Sequence, residues 1–168
     1  MVRVFLGLGS NLGDRAAYLK EGIREVNELA PVVASSPVYE TEPVGMESDH
    51  RFYNMVIEVE TSLRPPELLR KLKMIERKAG RKHATHHLDR EIDIDILLYD
   101  AVIMQSPALT IPHPRMTQRR FVLVPLAELA PSLVSPGQPM TVAQLLDACD
   151  DTGTVEHIAD LSLEKRPA

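Results

Sequence analysis

Apolar residues recur along this chain with two different periods, and the two alternate. Residues 2–8 form a short apolar and β-branched run that predicts a strand. From Asp14 onward, Leu19, Ile23, Val26 and Leu29 fall on one helical face, and Ala30-Pro31 ends that helix. Residues 32–39 read as a second strand and residues 40–51, with Pro43 and Gly45, as a long loop. In residues 52–61, Met55, Ile57 and Val59 alternate with more polar positions, the period of a strand. Pro65-Pro66 opens a helix with Leu68, Leu69, Leu72 and Ile75 on one side, and Gly80 closes it. A polar stretch follows, and residues 92–99 give the clearest strand of all. The order β-α-β-β-α-β predicts an α+β fold of ferredoxin-like type, an antiparallel sheet with both helices on one face. The last third reads as additions to that core. Residues 110–113 form a turn or edge segment, 121–129 are apolar and buried, and 141–149 form a short helix capped by Thr141. Residues 1–163 are expected to make a single domain and 164–168 a frayed polar tail.

Composition narrows the class of function. The chain has 168 residues, 44% hydrophobic and 26% charged, which suits one globular domain. Its formal net charge of -5 argues against a nucleic-acid partner, which usually selects a basic surface. Cys149 is the single cysteine, so no disulfide forms within the chain, and it reads as a small buried hydrophobe. There is no signal-peptide pattern and no apolar stretch of membrane-spanning length, so a cytoplasmic protein without a membrane partner is expected.

The candidate chemistry centres on Ile92-Asp93-Ile94-Asp95-Ile96. Strand residues two apart share a face, so the two carboxylates project together, their Cα atoms about 6.6 Å apart. Like charges at that spacing fit either a solvated strand face or a hard divalent cation such as Mg²⁺ held together with substrate phosphates. Arg81, Lys82 and Arg90 precede the strand, and Arg115, Arg119 and Arg120 follow it; if they fold over the acids they form a phosphate cradle. Gly7-Leu8-Gly9-Ser10-Asn11-Leu12-Gly13 has one residue too many for the dinucleotide fingerprint. It reads as a tight strand-to-helix turn, or as backbone that touches a ligand near Ser10 and Asn11. His83, His86 and His87 stand near Asp89 without the spacing of a zinc helix, and a polar loop beside the site fits them as well. His113 is held between Pro112 and Pro114 and is open to a structural or a functional role.

Taken together these motifs resemble the 6-hydroxymethyl-7,8-dihydropterin pyrophosphokinase family. The pieces that carry the resemblance are Leu8-Gly9-Ser10-Asn11-Leu12-Gly13-Asp14, Phe52-Tyr53-Asn54, Ile75-Glu76 before Gly80-Arg81, Arg90-Glu91-Ile92-Asp93-Ile94-Asp95-Ile96-Leu97, Ile111-Pro112-His113 and residues 119–126. The resemblance implies attack of a pterin hydroxyl on the β-phosphorus of ATP, with AMP leaving, as a step of folate biosynthesis. It implies that Asp93 and Asp95 bind two Mg²⁺ ions and that Asp95 helps to deprotonate the hydroxyl. Arg90, His113 and Arg119 would hold phosphates, as would Arg81 from a loop that closes on ATP. Glu76, Ile96 and Thr110 would line the nucleotide site. Phe52 and Phe121 would sandwich the pterin ring, and Asn54 would read its edge with backbone help from Thr41, Pro43 and Val44. A monomer is implied as well.

The departures all fall on the ATP side. The family usually carries a tryptophan and a Pro-Arg pair before the Asp strand, whereas this chain has no Trp and reads His86-His87-Leu88-Asp89-Arg90. Ala108 stands where an arginine often precedes the Thr-x-Pro-His segment. Lys82 and one of His83, His86 and His87 are expected to substitute in part. These departures motivate a second reading, a pterin- or nucleotide-binding relative without catalysis; a third is a His/Asp metal-dependent hydrolase on the same fold.

Overall fold

A computed structural model describes residues 1–43, 50–79 and 91–159. Its first strand, β1 (Val2–Ser10), runs two residues further than the apolar pattern predicts, and α1 (Arg15–Leu29) follows. The side chain of Asp14 caps α1 by accepting a hydrogen bond from the Ala17 amide at 3.1 Å. The predicted strand over 32–39 is two strands, β2 (Val32–Ser35) and β3 (Val38–Thr41). They break at Ser36-Pro37 because proline brings no amide to the ladder. Ser36 bridges the gap, its amide donating to the Val56 carbonyl and its hydroxyl accepting from the Val56 amide, each at 2.9 Å. The expected loop from residue 40 starts later, since Glu40 and Thr41 pair with Tyr53 and Phe52 of β4 (Phe52–Thr61). Then come α2 (Pro65–Lys78), β5 (Asp93–Tyr99), a short ribbon of β6 (Met104–Gln105) and β7 (Thr110–Ile111), one 3₁₀ turn, α3 (Arg120–Leu129), α4 (Val142–Asp147) and β8 (Val155–Ala159). Gly80, the expected end of α2, lies outside the described residues.

The main sheet has the order β5-β1-β4-β3-β8, with β2 also on β4, and every pairing is antiparallel. This is the expected ferredoxin-like order with one added edge strand. On one face, Val4, Leu6 and Leu8 of β1 and Ile94 and Ile96 of β5 pack against Leu19, Ile23 and Val26 of α1 and Leu68, Leu72 and Ile75 of α2. Each fully buried leucine or isoleucine adds about 2 kcal/mol of transfer free energy. Gly22 lets α1 lie this close: a Cβ there would stand 2.2 Å from Cδ1 of Ile92. On the other face, Phe5, Val56, Leu97 and Leu98 meet Val122, Leu123 and Leu126 of α3 and Val142 and Leu145 of α4. Thr141 caps α4 in a reciprocal capping box with Gln144, as the sequence predicts.

Residues 155–159 carry no long apolar run to announce β8; the strand exists because β3 offers it a free edge, Thr41 lying opposite Val155. A β-bulge is equally invisible in the sequence. Phe5 pairs with Leu98 and Leu6 with Ile96, so Leu97 is an extra residue, and Leu97 and Leu98 both pack into the core under α3.

Candidate active site

The second sheet face is only partly covered. α3 and α4 pack over the Phe5–Val56–Leu97 end, and the site lies at the other end, where β1 presents Gly7 and Gly9. Asp95 stands opposite Gly7 and Asp93 opposite Gly9 on one side; Val56 and Asn54 stand opposite the same glycines on the other. Gly9 therefore belongs, with Gly7, to the strand and not to the turn read from the sequence. Lacking side chains, they form a low floor between the acids and Asn54: Gly7 is partly exposed and Gly9 is buried beneath Asn54 and Phe52. A Cβ on Gly9 would come within 2.6 Å of Asn54 Oδ1 and 3.4 Å of a Phe52 ring carbon. Gly9→Ala is thus expected to push the carboxamide aside and to weaken binding of a ring ligand about ten-fold with the fold retained, as checked by ligand titration and circular dichroism. Gly13, with φ of +70°, is the residue that serves the turn.

Asp93 and Asp95 share this face, as the period of two predicts, and both are partly buried. The Asp95 carboxyl is pushed up to about 7, first by burial and then by the neighbouring charge of Asp93. Glu76 raises it further, whereas Lys73 and Arg119 pull it down, so these charges converge on one point. Glu76 sits on α2, 1% exposed, and Lys73 Nζ donates to both its oxygens at 3.1 and 3.2 Å. The sequence gives no sign of Lys73; it reaches the site because α2 packs beside the edge strand.

His113 is set by the bulge. Its amide donates to the Leu97 carbonyl at 2.9 Å, directly after the cis Ile111-Pro112 bond. Its Nδ1 accepts from the Arg115 amide at 3.2 Å, which leaves the proton on Nε2, free to donate to an anion. Burial, then Arg119 and Arg115, lower its pKa to about 4, against a weaker opposite pull from Asp93. The folded state therefore keeps this ring neutral. It contributes stability above the ordinary histidine pKa that is lost as the pH falls from there through about 4. A histidine titration by NMR is expected to show one ring with a midpoint near pH 4 and no change from about pH 6 to 8.

Across the floor, Asn54 Nδ2 donates to the hydroxyl of Thr41 at 2.6 Å, and Thr41 is 1% exposed. The carboxamide is so fixed with its oxygen over Gly9. Phe52 shares this face, and the chain leading into it is pinned: Asn11 Nδ2 donates to the His50 carbonyl at 3.3 Å and Arg15 Nη1 to the Arg51 carbonyl at 2.9 Å. The Arg15 guanidinium also stacks 3.8 Å from the Tyr53 ring centre. Phe121 lies in the first turn of α3, with the Arg119 guanidinium 5.4 Å from its ring centre. Pro43 follows two residues after Thr41, just beyond the end of β3. Thr110 pairs with Gln105 in the β6–β7 ribbon. Ile96 points its side chain into the core under α1 and α2, so only its main chain on the edge of β5 is left to line a nucleotide site. Arg81, Lys82, Arg90 and Val44, with His83, His86, His87 and Asp89, lie outside the described residues.

Among the described residues no group of three or more His, Cys, Asp or Glu side chains could hold a metal ion. The donor set there is the Asp93/Asp95 pair, all oxygen, whose mutual repulsion a divalent cation would relieve. Nor is any described helix long and apolar enough to cross a membrane.

Comparison with known proteins finds relatives in one family. The family model of 7,8-dihydro-6-hydroxymethylpterin-pyrophosphokinase (HPPK) matches residues 5–131. A protein of Aquifex aeolicus named 2-amino-4-hydroxy-6-hydroxymethyldihydropteridine pyrophosphokinase is 42% identical over 136 residues, 81% of this chain and 85% of its own length. One of the same name from Porphyromonas gingivalis is 43% identical over 138 residues, 79% and 94% of the two chains. A crystal structure of HPPK-DHPS in complex with substrates superposes with a TM-score of 0.71 at 14% identity, over 88% of this chain and 42% of the longer one. Plasmodium falciparum HPPK-DHPS with pterin and p-hydroxybenzoate gives 0.70 at 18% identity, over 88% and 41%. At those identities the two structures show the shared fold alone. With three quarters of its length inside the family match and relatives above 40% identity, this chain belongs to the HPPK family.

Proposed function

We propose that this chain transfers pyrophosphate from ATP to the hydroxymethyl group of 6-hydroxymethyl-7,8-dihydropterin, giving AMP and the pterin diphosphate. The observation that carries this reading is the floor of Gly7 and Gly9 between two carboxylates and a fixed carboxamide. One side suits a charged, phosphate-bearing substrate and the other a flat polar ring. The hydroxyl oxygen bonds to the β-phosphorus, the bond from that phosphorus to the bridging oxygen of the α-phosphate breaks, and AMP departs with that oxygen.

Each residue has a role in that step. Asn54 reads the ring edge and is held for it by Thr41, with main chain near Thr41, Pro43 and Val44 assisting. Phe52 and Phe121 stack on the ring faces. Asp95 takes the hydroxyl proton. His113, neutral with its Nε2 proton outward, donates to a phosphate oxygen, and Arg119 binds phosphate by charge. Glu76, Thr110 and the main chain at Ile96 line the nucleotide side, where Arg81, Lys82 and Arg90 add cations. Asp93 and Asp95 would hold Mg²⁺, which when bound neutralises triphosphate charge and so eases displacement at phosphorus. An oxygen-only pair with no third protein ligand among the described residues fits Mg²⁺, which completes its shell with water and substrate phosphate.

The test is direct. Protein, ATP, Mg²⁺ and the pterin alcohol are mixed, and the products are read by mass spectrometry. AMP and pterin diphosphate in equal amounts are expected. ADP with inorganic phosphate would instead point to a hydrolase.

A further inference from the structure

The family match ends at residue 131, yet a segment beyond it touches both the start of α3, which carries Phe121, and the end of β3, which carries Thr41. Asp151 Oδ2 accepts a hydrogen bond from the amide of Arg120, the first residue of α3, at 3.0 Å. Its Oδ1 accepts from the Gly153 amide at 2.8 Å, which fixes the carboxylate. Arg119 and Phe121 flank the amide so held. The first turn of α3 needs this tether. No side chain of the helix caps it, and Pro125 removes the amide that would have bonded the Phe121 carbonyl. A carboxylate at the helix start also complements the helix dipole. Three residues on, the hydroxyl of Thr154 donates to Glu42 Oε1 at 3.0 Å, and Val155 pairs with Thr41. Glu42 lies between Thr41 and Pro43. Residues 151–155 therefore hold the Phe121 end of α3 with one end and the Thr41–Glu42 segment with the other.

We infer that Asp151 is a positioning residue for the ring-binding substrate, acting through Phe121, and that Thr154 is its second anchor. This rests on the proposed function, in which Phe121 stacks on the pterin.

The test measures pterin affinity in the full chain, with Mg²⁺ and a non-hydrolysable ATP analogue present. Asp151→Ala is expected to raise the pterin Kd about five- to ten-fold, and Thr154→Val about two-fold. In a Phe121→Ala background the Asp151→Ala change should shrink to about two-fold or less, because the ring that Asp151 positions is gone. A merely structural role would not depend on that background. Should the alanine variant fail to fold, Asp151→Asn, which keeps one acceptor, makes the same comparison at smaller amplitude. An unchanged Kd in the Asp151 variants, or a full loss that persists without Phe121, overturns the inference. Absence of pterin binding by the unmutated chain would overturn the functional reading instead.

Discussion

Asp95→Asn is expected to lower turnover about 10³-fold while making the metal-free protein more stable at alkaline pH. The loss follows from the site. Asparagine keeps the shape but supplies no charge for a cation and accepts no proton from the hydroxyl. The gain follows from electrostatics. In the folded protein the Asp95 carboxyl is pushed up to about 7, because ionising it beside Asp93 in a half-buried site is costly. The unfolded chain ionises it near the ordinary aspartate value. The folded state thus binds the proton more tightly, and stability drains away as the pH rises from the unfolded pKa through about 7. Below that window the wild type and the variant should be alike. Above it the variant should gain on the order of 2 kcal/mol, less than the full shift because the pair is partly solvated, or a rise in Tm of about 4–8 °C. Calorimetry in EDTA at about pH 4 and pH 8, beside the AMP assay, checks both halves. Near wild-type turnover would remove Asp95 from the chemistry, and an equal Tm change at both pH values would remove the repulsion argument.

Asn54→Leu should raise the KM for the pterin about 10²-fold and leave the affinity for ATP nearly unchanged. Leucine matches the branching and heavy-atom count of asparagine but offers the ring edge neither donor nor acceptor. It also strands the hydroxyl of Thr41, which is 1% exposed and now receives the Asn54 amide at 2.6 Å. An abandoned buried hydroxyl costs about 1–3 kcal/mol, so a fall in stability should accompany the kinetic effect. Asn54→Leu with Thr41→Val removes both polar groups. That pair should recover the stability and not the KM, which separates packing from recognition. Steady-state kinetics with each substrate varied in turn, together with thermal melts, decide the matter. A larger change in the KM for ATP than for the pterin would put Asn54 on the wrong side of the floor.

Much of this was legible from period alone. Isoleucine at 92, 94 and 96 placed Asp93 and Asp95 together on the opposite face of a strand, and Phe52 and Asn54 likewise share a face, because strand geometry leaves two choices per residue. The helical pattern of Leu19, Ile23 and Val26 and of Leu68, Leu72 and Ile75 placed α1 and α2 over one side. Other features were hidden because their causes are not local. Pro37 splits a strand only where a ladder demands its amide. Leu97 is a bulge only against β1, and it is that bulge which aims His113. Lys73 reads as one more exposed helix cation until α2 is laid beside Asp95. β8 exists because β3 leaves an edge uncovered.

The sequence by itself determined the β-α-β-β-α-β order of the core, the core-facing side of its strands and helices and the pairing of the acids, because these follow from backbone geometry and the spacing of apolar side chains. Only the tertiary structure decided how close Asp95, Glu76, Lys73 and Arg119 come, which of them are buried, that His113 is neutral, and that Asp151 holds the start of α3. Desolvation, charge coupling and capping from a distant segment depend on distances in space, and no reading along the chain contains those distances.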